Sequence, residues 1–140
     1  MSFTLHANLA KDCIELGQLE LCRVLLMNDC QFPWLILVPE RENISEIHEL
    51  SADDQLQLMR ESCYISEKLA EVFQADKMNV AALGNIVPQL HLHHVVRYKT
   101  DKAWPAPIWG KFEAMPYSAA ALDKVLIKIN NFIVPSIKLN

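Results

Sequence analysis

The stretch "VPQLHLHHVVR", residues 87–97, decides how this chain is read. Three histidines, His91, His93 and His94, fall within four positions, and Gln89 stands two before the first. Polar and apolar residues alternate along most of it, and a period of two is the mark of a β-strand. Successive side chains of a strand point to opposite faces. Gln89, His91, His93, Val95 and Arg97 are therefore expected on one face, and Leu90, Leu92, His94, Val96 and Tyr98 on the other. The second face is mostly apolar and suits packing against helices. The first presents an amide and two imidazoles, with neighbours about 6.5–7 Å apart. That spacing can set one imidazole on a reacting atom and the next on an adjacent oxygen.

Outward from this strand the chain alternates extended and helical segments. "ELCRVLLMND" ends at the turn signal Asn28-Asp29, and "FPWLILVPE" follows, so the two are expected to form an antiparallel hairpin. Pro33 and Pro39 bracket the second of these strands, where a missing N–H does little harm. Residues 51–74 are expected to be a helix capped by Ser51, with Asp54 placed as in a capping box. Its apolar face is read as Leu56, Met59, Cys63, Ala70 and Phe73, widened by Leu58, Ile65, Leu69 and Val72. "KMNVAALGN" is a third strand ending at Gly84-Asn85, and "QLHLHHVVRY" a fourth. Pro105 and Pro107 exclude a helix in "WPAPIWG" and favour an extended path. Ser118 caps a last helix, whose apolar face is Leu122, Val125, Leu126, Ile129 and Ile133. The sum is an α+β fold, an antiparallel sheet with a long helix and a C-terminal helix packed on it.

Bulk properties narrow the function. The 140 residues suit a single domain, 1–140, and contain no repeat and no Gly/Ser linker. Apolar residues make up 51% and charged residues 21%, which is globular composition. With a net charge of -4 and no basic run, binding to a nucleic-acid backbone is not expected, because counterion release needs a positive stripe. A single nucleotide needs only a few local donors. The longest apolar run, Phe32 to Pro39, is too short for a bilayer, and "MSFTLHANLAKDC" lacks the regions of a signal peptide. Cys13, Cys22, Cys30 and Cys63 form no CxxC pair and are read as buried free thiols of a cytoplasmic protein.

A neutral imidazole has one free lone pair. It can attack phosphorus or carbon, accept a proton or bind a metal. His-x-His by itself leaves three readings open: histidines that merely fill a strand, a metal site, or nucleophilic catalysis. The metal reading lacks a third ligand at short spacing, and His94 is expected to face away. No Walker A loop and no GxGxxG is present.

"QLHLHHVVR" resembles the motif of the histidine triad (HIT) superfamily, His-φ-His-φ-His-φ-φ, where φ is apolar. The hairpin with Asn28, the strand "LILVPE", the helix start "ELSADD" and "GNIVPQLHLHHVVR" also stand in the order of a HIT domain. "AWPAPIWG" looks like a segment of bacterial HIT-family hydrolases, and the likeness covers roughly residues 10 to 110. The resemblance implies a HIT-like fold. It puts Gln89 at the first triad histidine, His91 at the second and His93 at the third. A register with His91 first would leave Val95 third and breaks the spacing from Gly84-Asn85.

By resemblance the activity is that of a nucleotide hydrolase or nucleotidyl transferase. It acts at the α-phosphate of nucleoside phosphoramidates or dinucleoside polyphosphates through a nucleotidyl-histidine intermediate. His91 is then the nucleophile and His93 a contact to the phosphate or leaving group. Gln89 is expected to orient the phosphate or the His91 ring through its amide. Gly84 and Asn85 fall in the family's phosphate-contacting loop, and Asn28 at its ribose-binding Asn or Asp. The partner implied is a purine nucleotide or dinucleotide. No metal and no cofactor is required for the chemistry, although magnesium can accompany a polyphosphate. A homodimer is implied as well. The alternative is a nucleotide-binding protein that lost activity with the first triad histidine. Trp104 and Trp109 are read as a rim of the site or a subunit contact.

Overall fold

A computed structural model of the protein describes residues 3–133; residues 1, 2 and 134–140 of the expected 1–140 domain lie outside that range. The elements, in chain order, are α1 (Ala7–Asp12), β1 (Cys13–Gln18), β2 (Cys22–Met27), β3 (Trp34–Pro39), α2 (Ala52–Phe73), β4 (Lys77–Ala81), β5 (Leu92–Arg97) and α3 (Ala119–Ile129). The strands form one antiparallel sheet in the order β1-β2-β3-β5-β4. The expected hairpin is β2–β3, with Val24 opposite Leu37 and Leu25 opposite Ile36.

Each strand face has its own core. Val24, Leu26, Leu35, Leu37, Leu92 and Val96 face α2 and α3 and pack with Leu58, Ile65, Leu69 and Ile129. Leu25, Trp34, Ile36, Val38 and Val95 point the other way and pack with Leu9, Phe32, Ala103 and Ile108. Both faces are covered, so β3 is buried at every position. At about 1.5–3 kcal/mol for each large side chain removed from water, these two layers dominate the stability.

Helix α2 starts where expected, with Ser51 Oγ accepting from the Asp54 N–H at 3.1 Å. It ends at Gln74, whose φ of 52° is left-handed. Its core face, however, is Leu58, Glu61, Ser62, Ile65, Leu69 and Phe73. Leu56 and Met59, expected inward, are 59% and 63% exposed. The apolar stripe was wider than one face, and the polar Glu61 and Ser62 took the inner positions. Glu61 can do so because its carboxylate accepts from the Leu21 and Cys22 N–H groups at 2.8 and 2.9 Å, closing the β1–β2 turn.

Several expectations are corrected. The described residues form five strands, not four, because β1 lacks a clean alternation in the sequence. Strand β5 begins at Leu92, three residues later than expected. "WPAPIWG" is not extended. It folds as successive turns, with Trp104 N–H bonded to Asp101 O and Ala106 N–H to Ala103 O, and a cis Trp104–Pro105 bond. Of the four free cysteines, Cys22 is buried but Cys30 and Cys63 are exposed. No described helix is long and apolar enough to cross a membrane.

Candidate active site

His91 and His93 meet on the face opposite α2. Their ring centroids are 4.8 Å apart at 70°, and both rings are buried, 6% and 8% exposed. His93 lies on β5 opposite Ile36 of β3. His91 precedes the strand, and the adjacent Leu90 is held by its N–H to Ile44 O at 2.9 Å. Around the two rings lies a cleft of about 310 Å³ lined by Leu83, Gly84, Asn85, Ile86, Val87, Trp109 and Gly110. Gly84 has φ of 98°, and a Cβ there would stand 3.3 Å from Val87 O, so the loop requires glycine at this point.

The His91 ring is oriented by the chain itself. Its Nδ1 lies 2.7 Å from Gln89 O. A carbonyl only accepts, so Nδ1 carries a proton, and the neutral ring has its lone pair on Nε2. His93 is held from the other side. The Trp34 Nε1–H donates to His93 Nδ1 at 3.0 Å. Burial, then the nearby His91 and His94, push the His93 pKa down to about 3.

His94 faces α2. It is fully buried, with Nδ1 donating to Leu92 O at 3.1 Å and Nε2 accepting from Ser62 Oγ at 2.8 Å. Burial lowers its pKa to about 4. Arg97, at the end of β5, is 1% exposed and is paired with Asp101. Among the described residues no group of three His, Cys, Asp or Glu side chains could hold a metal ion.

The structure therefore brings together His91, His93, Gly84 and Asn85, and leaves two expected residues outside the cleft lining. The Gln89 amide does not meet the His91 ring. Its Oε1 accepts from His6 N–H at 2.8 Å and its Nε2 donates to Thr4 O at 2.9 Å. The strand period holds back to His91, whose ring meets His93, but the chain bends at Gln89 and its amide turns to Thr4 and His6. Asn28 is likewise engaged, its Oδ1 accepting from Tyr117 N–H at 2.9 Å.

The neighbour of Asn28 is the residue that sequence reasoning missed. Asp29 is 4% exposed. It lines a second cavity of about 160 Å³ with Met27, Phe32, Trp34, Phe112 and Trp109. That cavity adjoins the histidine cleft through Trp109 and Gly110. Asp29 Oδ1 accepts from the Gln31 N–H and side-chain amide and from Met115 N–H, and no described residue bonds Oδ2. The signal available was the turn motif Asn28-Asp29 itself, which does not say which of the two faces inward. Trp34 was also missed as a site residue, because in sequence it looks like any strand aromatic. Trp109, expected at a rim, packs edge-on to His93 at 5.5 Å, and its buried Nε1 has no hydrogen-bond partner among the described residues.

Comparison with known proteins agrees with this architecture. The HIT domain family matches residues 9–100. The crystal structure of a histidine triad protein from Marinobacter aquaeolei VT8 is 52% identical, covers 94% of this chain and 96% of that one, and superposes with a TM-score of 0.91. One from Bradyrhizobium japonicum is 40% identical over 96% of this chain and 100% of that one, TM-score 0.92. A third, from Sinorhizobium meliloti 1021, is 41% identical over 94% and 97%, TM-score 0.90. No curated protein matches the sequence.

Proposed function

This chain belongs to the HIT domain family, and from that premise we propose that it is a nucleotide hydrolase or nucleotidyl transferase. The reaction is displacement at the α-phosphate of a nucleoside phosphoramidate or dinucleoside polyphosphate, through a nucleotidyl-histidine intermediate. The observation that carries this reading is the 2.7 Å hydrogen bond from His91 Nδ1–H to Gln89 O, which leaves the Nε2 lone pair at a cleft. A positioned neutral imidazole splits one hard displacement into two easier ones. Nε2 attacks phosphorus and the leaving group departs with its electron pair. Water then attacks the same phosphorus and His91 recovers its lone pair.

His93 contacts the transferring phosphate, and Gly84 and Asn85 supply a close backbone approach and an amide donor. Gln89 acts through its backbone carbonyl, which orients His91. The nucleoside end fits the second cavity, where aromatic Phe32 and Phe112 can meet a purine and the Asp29 carboxylate can accept from ribose hydroxyls. The role that the resemblance gave to Asn28 thus passes to Asp29. No Lys or Arg lines the histidine cleft among the described residues, while Leu83 and Ile86, both exposed, stand at it. A single phosphate with an apolar leaving group suits that lining better than a polyphosphate carrying several charges. With a polyphosphate, magnesium would enter as part of the substrate.

The test is release of nucleoside monophosphate from adenosine phosphoramidates and from diadenosine tetraphosphate by the wild type and by His91→Ala. Turnover confined to the wild type supports the reading, and equal turnover by the variant overturns it. A second reading, a nucleotide-binding protein without catalysis, is favoured by Gln89, a residue that does not titrate. It predicts that purine nucleotides raise the melting temperature of the wild type while no substrate is turned over.

A further inference from the structure

We propose that Trp34 is a positioning residue: its indole N–H holds His93 in the neutral form with the proton on Nε2, so that His93 is a fixed hydrogen-bond donor and not a proton-transfer group. This rests on the reading of the cleft as a phosphoryl-transfer site.

An indole N–H donates, and the ring nitrogen has no lone pair to accept with. Trp34 Nε1 lies 3.0 Å from His93 Nδ1, so His93 Nδ1 is the acceptor and bears no hydrogen. A neutral imidazole then carries its hydrogen on Nε2. Protonating His93 would place an N–H against the Trp34 N–H, two donors facing each other in a buried position. The contact is geometrically secured. Trp34 is 8% exposed and packs in the second core layer. Its ring lies 5.5 Å from His93 and 6.4 Å from Trp109, which packs on His93 from another side.

The titratable groups bearing on His93 are His91 and His94, and a charge on either opposes a second positive charge. Further along the same face Arg97 is paired with Asp101. The surroundings and the Trp34 bond therefore act in the same direction.

The two imidazoles of the cleft are thus held as opposite tautomers. His91 has a lone pair on Nε2 and His93 a hydrogen on Nε2. One attacks phosphorus, and the other donates to an oxygen on which negative charge grows. The balance of the first step follows. The His91 Nε2–P bond forms, the bond from phosphorus to the leaving group breaks with its pair on the leaving group, and the proton that group takes comes from solvent water, not from His93.

The experiment reads the tautomer directly. Two-bond ¹H–¹⁵N correlation spectra of the ¹⁵N-labelled full chain, without substrate, are recorded from pH 5 to pH 8, with Trp34→Phe alongside. The wild type is expected to show His93 as the Nε2–H tautomer throughout, with no titration. In Trp34→Phe the Nδ1–H form should appear. The same variant should lose about 10- to 100-fold in kcat with KM changed less than about 3-fold, since an oriented donor is worth on the order of 10²–10³. An Nδ1–H or titrating His93 in the wild type overturns the proposal, as does an unchanged tautomer in Trp34→Phe. Should that variant fail to fold, the wild-type spectrum decides. The spectra do not depend on turnover, so failure of the tautomer assignment and failure of the phosphoryl-transfer reading are separately visible.

Discussion

Asp101→Asn should weaken the segment that carries Trp109 onto the histidine pair. Five hydrogen bonds converge on this carboxylate. Oδ2 accepts from Arg97 Nε at 2.8 Å and Tyr98 N–H at 3.1 Å, and Oδ1 from Arg97 Nη2 at 3.0 Å, Ala103 N–H at 3.0 Å and Trp104 N–H at 2.8 Å. The guanidinium it neutralises lies over the rings of Phe32 and Trp104, with both centroids within 6 Å. Hydrogen bonds from Arg97, more than any other cause, hold the Asp101 pKa down from 3.8 to about 2. At about 1.36 kcal/mol per pKa unit, that difference is on the order of 2 kcal/mol.

Breaking a buried pair typically costs about 3–5 kcal/mol, because the remaining charge is left uncompensated. Asparagine keeps the shape and one acceptor, so about 3 kcal/mol is expected. A carboxylate with a depressed folded pKa stabilises the fold above its unfolded pKa, and the contribution disappears as pH falls from about 4 through about 2. Urea unfolding followed by tryptophan fluorescence at pH 7 and at pH 3 measures both quantities. The deficit of Asp101→Asn should be about 3 kcal/mol at pH 7 and smaller at pH 3. A deficit below about 1 kcal/mol at pH 7, or one that does not narrow in acid, would refute the reasoning.

Other outcomes follow from the same contacts. Ser62→Ala leaves buried His94 Nε2 without its partner and should cost about 1–3 kcal/mol in thermal or urea unfolding, with kcat unchanged because His94 faces α2. His93 and His94 are buried neutral with pKa values lowered to about 3 and about 4. The unfolded chain protonates them first, so stability should fall as pH drops from about 6.5 toward 4, by roughly 2 kcal/mol between pH 6 and pH 5; a flat profile from pH 7 to pH 5 would contradict the burial of both rings. Gln89→Ala removes the bonds to Thr4 and His6, so hydrogen exchange at the His6 amide should rise about tenfold or more.

How much could be read in the sequence depended on how far each periodicity ran. The alternation leading into β5, the proline-bracketed apolar run of β3 and the capped start of α2 were legible, because each is a local signal. Strand β1, "CIELGQ", was not. It is half exposed, contains Gly17 and carries an irregularity between Glu15 and Gly17, so no clean alternation survives. The inner face of α2 was misjudged because Glu61 and Ser62 are polar residues satisfied by partners distant in sequence, the β1–β2 turn and His94. In the site, His91, His93 and the Gly84-Asn85 loop were legible from the motif. Asp29 and Trp34 were not, since their roles come from a cavity and a cross-strand contact. Gln89 was placed in the cleft by carrying the strand rule through a bend, while the tether to Thr4 and His6 joins positions more than 80 residues apart.

Attack of His91 Nε2 on phosphorus leaves a covalent trace. It is read by a rapid quench of the enzyme with an adenosine phosphoramidate, followed by peptide mass spectrometry under non-acidic conditions. An acid-labile adenylyl group is expected on His91, formed and consumed at rates that support turnover, and absent from His91→Ala. An adenylyl group on a different residue, or turnover without any such adduct in a variant lacking His91, would contradict it.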